Sequence, residues 1–411
     1  MTVLILGWKP EFGGLIGELG LKCVVVLGDL ERAGHARLSV PNCHLVHVKD
    51  VADVARVLTA LARAGYHGPD FTAVHADREQ LVVPAAAIAR LWQCRGMPLD
   101  GALAGHDKWV QKQAVQAVGV RTPRIELLPF DPAERAATLR CFRYPALLKP
   151  VASSRSRYIS TVSCVEEAIA LTAVGPPEDS EDTEAFTVEE FVNAPEIHVD
   201  GVVRDNSVIF VSVGAYRVNI LAAREHAEVS SILLDPREHE PQYAEARRLC
   251  EAVFRGMRLP TAAFHLEAFS TPDGLVFSEC AVRTGGTFIP EVVEAKFGVD
   301  LRRAAFELAL GQPVSRLPVT RPACVGWTYL PAPPGRLLSW PDADSVLTRP
   351  GVRRVKVEPS GSRACAGQSD QARRAGLAVV EGTDFAQVDR RISDLVSWFR
   401  SNVRTEGTRD E

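Results

Sequence analysis

Apolar and polar positions follow two periods along this chain. Short continuous apolar runs, VLILG (3–7), CVVVLGD (23–29), LVHV (45–48) and FTAVHA (71–76), have the length of buried strands. Between them, residues 51–64 and 79–93 carry apolar positions at helical spacing. Strands alternating with helices predict a parallel sheet covered on both faces. This first α/β unit is expected over residues 1–103.

A second unit is expected over residues 104–318. It opens on HDKWVQKQAVQAVGVRTP (106–123), where Trp109, Ala114, Val115 and Val118 have helical spacing and Gly119 ends the helix. PALLKPV (145–151) and FTVEEFV (186–192) read as strands, and GVVRDNSVIFVSV (201–213) as a hairpin. The acidic run EDSEDTE (178–184) reads as a solvated loop. A helix over 242–255 precedes the strands TAAFHLEAF (261–269) and GLVFSECAV (274–282), which the turn STPDG joins. A small α+β unit, 319–411, closes the chain. It contains the Pro/Gly-rich YLPAPPGRL (329–337), strands in GVRRVKVEP and GLAVVEG, a helix over 385–399 and a polar tail. The fold class is therefore α/β and α+β, multidomain.

Composition narrows the function classes. A length of 411 residues exceeds what one hydrophobic core organises. The net charge of -4 argues against a nucleic-acid partner. No apolar run approaches the roughly 20 residues needed to span a bilayer, and MTVLILGW lacks the pattern of a signal peptide. No membrane association and a cytoplasmic location are the expectations. The nine cysteines run from Cys23 to Cys365 without a CxxC pair, so reduced core residues are expected, Cys280 among them. Gly13, Gly14 and Gly17 give only a truncated dinucleotide fingerprint, so NAD is not expected. Of 47 lysines and arginines only eight are lysine: Lys9, Lys22, Lys49, Lys108, Lys112, Lys149, Lys296 and Lys356. Where arginine is the default cation, a lysine at a chemically suggestive place carries more information than usual.

Glu267 in FHLEAF and Glu279 in FSECAVRTGG stand on the last strand pair of the second unit. Adjacent antiparallel strands can bring both carboxylates to one face, where they repel unless a cation lies between them. Hard oxygen donors suit Mg2+ together with substrate phosphates. Arg283 lies four residues after Glu279, on the same face of an extended chain, and suits phosphate or an anionic intermediate. His265 shares the face of Glu267. Lys149 ends PALLK and precedes VASSRSRYIS (151–160), whose hydroxyls and guanidinium groups suit polyphosphate; no GxxxxGK[ST] occurs anywhere. In VEEFVNAPEIHVD (188–200), Glu189 and Glu196 flank a linker that can offer backbone groups to a base and an acid to ribose. Arg224 and His226 in AAREHAEVSS are candidate substrate contacts. Taken singly, each element also fits surface salt bridges or solvated loops.

In order and spacing, these elements resemble the ATP-grasp superfamily, and within it the L-amino-acid ligases and other carboxylate–amine ligases of the biotin-carboxylase-like branch. The resemblance rests on Asp107-Lys108, Lys149-Pro150, KPVASSRS, the hinge Glu189, Glu190, Phe191, Val192 with Glu196, and then Glu267, Glu279 and Arg283. It implies that Lys108, Lys149, Ser154 and Ser156 meet ATP phosphates. It further implies that Glu189, with Glu190 beside it and the backbone of Phe191 and Val192, meets adenine, that Glu196 takes ribose, and that Phe269 floors the base. Glu267 and Glu279 would hold Mg2+, and Arg283 would stabilise charge on an acyl phosphate.

Two departures stand out. The phosphate loop lacks the usual glycines. Ala281 stands where such ligases generally have asparagine, which leaves one metal-site oxygen short and the count of Mg2+ ions at one or two. The activity implied is ATP-dependent joining of a carboxylate, such as an amino acid, to an amine, with small-molecule substrates and homodimerisation left open. Alternatives are a purine-biosynthetic or carboxylase-type enzyme, or a nucleotide-binding regulator without turnover.

Overall fold

A computed structural model describes residues 2–29, 42–151, 159–174, 185–226, 228–315, 318–332, 337–358 and 374–405, with no side-chain description at 174, 224–226, 337, 338 and 405. The first sheet has four parallel strands, β1 (Thr2–Leu6), β2 (Lys22–Leu27), β3 (Cys43–His47) and β4 (Phe71–Ala76), in the order β3-β2-β1-β4. Its central strands are buried on both faces. Leu4, Leu6, Val24 and Val26 meet Val57, Leu61 and Ile88 of the helices Val54–Arg63 and Glu79–Trp92. Val3, Ile5, Val25 and Leu27 meet Phe12 and Ile16, with Phe306 joining from the much later helix Leu301–Ala309. This two-sided burial is why these runs read as continuously apolar.

Four short strands form an antiparallel sheet: β5 (Ile125–Leu127), β6 (Ala146–Pro150), β7 (Ser160–Val162) and β8 (Phe186–Glu190), ordered β5-β8-β6-β7. Leu139 and Ala168 of two helices pack on its Leu148 and Val188. The strand carrying Lys149 thus lies beside the one carrying Glu189, with Leu147 opposite Glu189.

The largest sheet comprises β9 (Glu196–Arg204), β10 (Ser207–Tyr216), β11 (Ser230–Leu233), β12 (Ala262–Thr271), β13 (Gly274–Ala281) and β14 (Cys324–Pro331). After the short β15 (Leu337–Ser339), which pairs with β18 (Arg404–Thr405), come β16 (Val352–Val357) and β17 (Arg374–Gly382). The order is β13-β12-β9-β10-β11-β14-β17-β16, so strands from the last part of the chain continue the sheet begun at Glu196. Helix Glu240–Gly256 covers one face, where Cys250, Val253 and Phe254 pack with Val199, Val203, Phe264 and Leu266. The period of two then sends Glu196, His198 and Asp200 of β9, and His265, Glu267 and Phe269 of β12, to the opposite face. No helix among the described residues is long and apolar enough to cross a membrane.

A bulge in β10 sets the approach of β9 and β10. Phe210 pairs with Val202 while Val208 pairs with Val203, leaving Ile209 extra. The Phe210 carbonyl oxygen consequently sits 2.3 Å from where a Cβ on Gly201 would lie. Neither strand can yield without disturbing its ladder. Gly201→Ala is expected to cost about 1–3 kcal/mol, read as a lower urea midpoint at unchanged denaturant slope.

Candidate active site

Strand register assembles the candidate site. Across β12 and β13, Glu267 faces Glu279 and His265 faces Ala281. Across β12 and β9, His265 faces Asp200, Glu267 faces His198 and Phe269 faces Glu196. Carboxylates from three neighbouring strands thereby share one patch. Burial raises Glu279, and Glu267 and Glu79 add to this against the pull of Lys108 and Lys149. Burial and the Glu267 carboxylate push Glu196 up to about 8. Glu267 goes the other way: burial opposes its ionisation, but His265 and Tyr216 hold it below the usual value. The patch carries more negative charge than its surroundings readily balance.

Lysines border it. Asp107 caps the helix Lys108–Gln116 by accepting from the Val110 amide at 2.9 Å, which fixes Lys108 in the first turn. Lys108 Nζ lies 3.9 Å from Glu279 Oε2. One turn later Lys112, 1% exposed, lies 3.5 Å from Glu189 Oε2 and 5.9 Å from the Phe277 ring centroid. Lys149 Nζ donates to the same Glu189 oxygen at 2.8 Å. Burial disfavours the Glu189 carboxylate, yet Lys112 and Lys149 outweigh it and hold Glu189 at about 2. Burial drives Lys112 down to about 8 against the attraction of Glu189. Lys149 is raised, since Glu189 and Glu279 overcome its burial. Glu189 Oε1 has no hydrogen-bond partner among the described residues.

Beside the carboxylates runs a buried hydrogen-bonded chain. Ser231 Oγ lies 2.7 Å from His198 Nε2, and His198 Nδ1 lies 2.5 Å from Asp200 Oδ2. Asp200 Oδ1 lies 2.8 Å from His265 Nδ1, and His265 Nε2 lies 3.3 Å from Glu267 Oε1, to which Tyr216 donates at 3.0 Å. Burial opposes charge on Asp200, but His265 and His198 bring it to about 2. Burial likewise opposes charge on His265, but Asp200 and Glu267 raise it to about 10. Two glycines make room. A Cβ on Gly214 would lie 2.1 Å from His198 Nε2, and one on Gly285 would lie 2.7 Å from Asp200 Oδ1.

The remaining sequence-predicted residues lie in several places. Phe191 and Val192 lie half-buried in the linker between β8 and β9, and Glu196 opens β9, its Oε2 accepting from the Ile220 amide at 2.8 Å. Glu190 alternates away from Glu189, is exposed, and accepts from the Arg124 amide at 3.3 Å. Arg283 donates to Glu79 of the first unit at 2.7 Å and to the Thr284 carbonyl at 2.9 Å. Next to it, buried Asp77 accepts from the Thr284 amide and hydroxyl and from Lys9 at 2.6 Å, joining the first unit to the turn after β13. A cavity of about 370 Å³, bordered by Asp77, Arg95, Ala263, Arg283 and Leu308, opens on this side. Ser154 and Ser156 lie outside the described residues, as do the side chains of Arg224 and His226. Sequence reading missed Lys112, His198, Asp200, Tyr216 and Asp77 as members of the site.

The donor set fits a hard divalent cation. Glu267 and Glu279 are cross-strand partners, and both the raised Glu279 and the raised Glu196 mark surplus negative charge that a cation relieves. Lys108 and Lys149 flank it with positive charge.

No protein-family model matches the chain. An L-arginine-specific L-amino acid ligase of Bacillus subtilis is 22% identical over 318 residues, 76% of each chain. The solved structure of an L-amino acid ligase from Bacillus licheniformis superposes with a TM-score of 0.76 at 16% identity, covering 98% of this chain and 97% of that one. A carboxyaminoimidazole ribonucleotide synthase from Aspergillus clavatus, complexed with ATP, gives a TM-score of 0.70 at 16% identity, covering 97% of this chain and 99% of that one. The two structural matches are likenesses of the whole fold.

Two outcomes test the electrostatics. Glu189→Ala leaves Lys112 and Lys149 buried without their shared counter-charge, and a loss of about 3–5 kcal/mol is expected in urea unfolding. Glu196 is raised in the folded chain from 4.5 to about 8. Its protonated form therefore favours folding, and that contribution is lost as pH rises through about 8. Glu196→Gln should flatten the fall in melting temperature between about pH 5 and about pH 9.

Proposed function

We propose that this chain, which has the ATP-grasp fold, is an ATP-dependent carboxylate–amine ligase acting on amino acids. The observation that carries the reading is the meeting of Lys108, Lys149, Glu267 and Glu279, from one helix and two sheets, around a single patch. In this reading Lys108 and Lys149 bind the phosphates of ATP, the linker Phe191-Val192 and Phe269 receive adenine, and Glu196 receives ribose. Glu267 and Glu279 hold Mg2+, which when bound neutralises charge on the phosphates.

The chemistry has two steps. A carboxylate oxygen of one substrate attacks the γ-phosphorus of ATP, the bond to the β-phosphate breaks, and an acyl phosphate and ADP result. The amine of the second substrate attacks the acyl carbon, the bond to phosphate breaks, and an amide, inorganic phosphate and a proton result. The chain's own residues position and neutralise. Lys149 and Lys108 supply fixed positive charge in a largely buried cleft, where it acts more strongly than in water. Arg283 sits at the join with the first unit and beside the cavity, and in this reading it stabilises charge on the acyl phosphate. The amino-acid substrate class rests on the likeness to the two L-amino acid ligases. Small-molecule substrates and a cytoplasmic setting accompany this reading.

The test is ADP release from the purified chain with ATP, Mg2+ and pairs of amino acids, with the product weighed by mass spectrometry. Release that needs the acid, and a mass equal to the two amino acids less water, is expected. Tight ATP binding with no acid-dependent ADP across a broad panel would sink the ligase reading and favour a nucleotide-binding regulator. Glu279→Ala should lower turnover about 100-fold or more with folding intact, whereas Lys149→Ala should chiefly raise the KM for ATP.

A further inference from the structure

We propose that His265 is a metal ligand, its Nε2 taking the coordination position for which Ala281 supplies no side-chain donor. The inference rests on the reading that Glu267 and Glu279 hold the nucleotide's divalent ion. Three observations carry it. First, His265 and Ala281 are direct cross-strand partners, on the same face as the partners Glu267 and Glu279. Ala281 ends at Cβ, so the space beside it belongs to the imidazole. Second, Asp200 Oδ1, a buried acceptor 2.8 Å from Nδ1, holds a ring proton on Nδ1, so Nε2 is the nitrogen that faces the carboxylates and gives up its proton when a cation takes its place. A carboxylate behind a histidine is the usual device that orients a metal-binding imidazole. Third, His265 Nε2 and Glu267 Oε1 are 3.3 Å apart, long for a charged hydrogen bond. Two donors bound to one ion at about 2.0–2.2 Å lie about 3–3.5 Å from each other.

The neighbouring histidine does not compete. His198 Nδ1 is engaged by Asp200 and its Nε2 by Ser231. The ligand atoms of His198, Asp200 and His265 do lie within 4.8 Å of one another, but Asp200 bridges the two rings and so acts as an orienting group behind His265. Gly285 belongs to the same device, since any side chain there would strike Asp200 Oδ1. A nitrogen donor among two carboxylates moves the site's preference from Mg2+ toward Mn2+ or Co2+.

The test is pulsed electron paramagnetic resonance on the full-length chain with Mn2+ and ADP, prepared once with ordinary histidine and once with 15N-histidine. The expected result is a directly coordinated 14N that becomes 15N on labelling. It should disappear in His265→Ala, with Mn2+ affinity reduced about tenfold or more. Should His265→Ala fail to fold, His265→Gln gives the same readout with a donor kept for Asp200, and the labelled wild type stands without either variant. Mn2+ bound in a Glu279-dependent way without histidine coupling overturns the proposal and leaves the Glu267/Glu279 reading intact. Coupling that persists in the His265 variants overturns it in favour of another histidine. No Mn2+ binding at all overturns both.

Discussion

Surplus carboxylate, most of it buried, is the constraint on which the centre of this structure depends. Glu189, Glu196, Asp200, Glu267 and Glu279 lie on four strands, and four of the five share one sheet face. Withdrawing a charge from water costs several kcal/mol even in relaxed protein. Each acid therefore needs a cation, a hydrogen bond or a proton. Glu189 has two lysines, Asp200 has two imidazoles, and Glu267 has His265 and Tyr216. Glu196 and Glu279 are left with the poorest compensation, and burial raises both. A cation in the proposed position would relieve this imbalance where Glu279 is the most open of the set, its side chain 41% exposed.

The rest of the fold supplies partners to this face from far along the chain. The helix capped by Asp107 brings Lys108 and Lys112 one turn apart, so a single helix serves Glu279 and Glu189 on different sheets. The pairing of β6 with β8 sets Lys149 beside Glu189. The turn after β13 is fastened to the first unit through Asp77, Thr284, Arg283 and Glu79. That fastening explains why the carboxylate strand ends in a tight, glycine-containing segment. The chain has to leave β13, meet the first unit, and still pass close enough to Asp200 that only Gly285 fits.

Much of this was legible in the sequence, and the omissions have physical reasons. Continuous apolar runs gave the parallel sheet because both of its faces are covered. The alternation in FHLEAF and FSECAV gave the facing carboxylates, because a period of two leaves each strand residue one choice of face. Register between distant strands was not legible. EIHVDG carries Glu196, His198 and Asp200 at alternate positions, a pattern that announces one polar face, yet its partners sit on strands reached only through the folded sheet. Lys112 follows Lys108 by one helical turn and was one of the few lysines in an arginine-rich chain. Its role stayed hidden because Glu189 arrives from a different sheet. Glu190, beside Glu189 in sequence, was grouped with it, and alternation sends its side chain to solvent.

A departure from a family pattern is often read at one position, but in a sheet the unit of substitution is the cross-strand neighbourhood. Ala281 taken alone is a lost oxygen. Taken with the residue opposite, it becomes in the proposed assignment an exchange, because Ala281 on β13 pairs with His265 on β12, whose Nδ1 is held by Asp200 of β9. The exchange has requirements elsewhere. Asp200 must be held by His198, His198 must reach Ser231 across a glycine at position 214, and Gly285 must stay bare. Five positions on different strands and one turn thus agree on the placement of one side chain. Such agreement is hard to reconcile with an alanine left by simple loss of function, since a decaying site has no reason to keep a buried imidazole pair held on one aspartate, with two histidines and an aspartate removed from water.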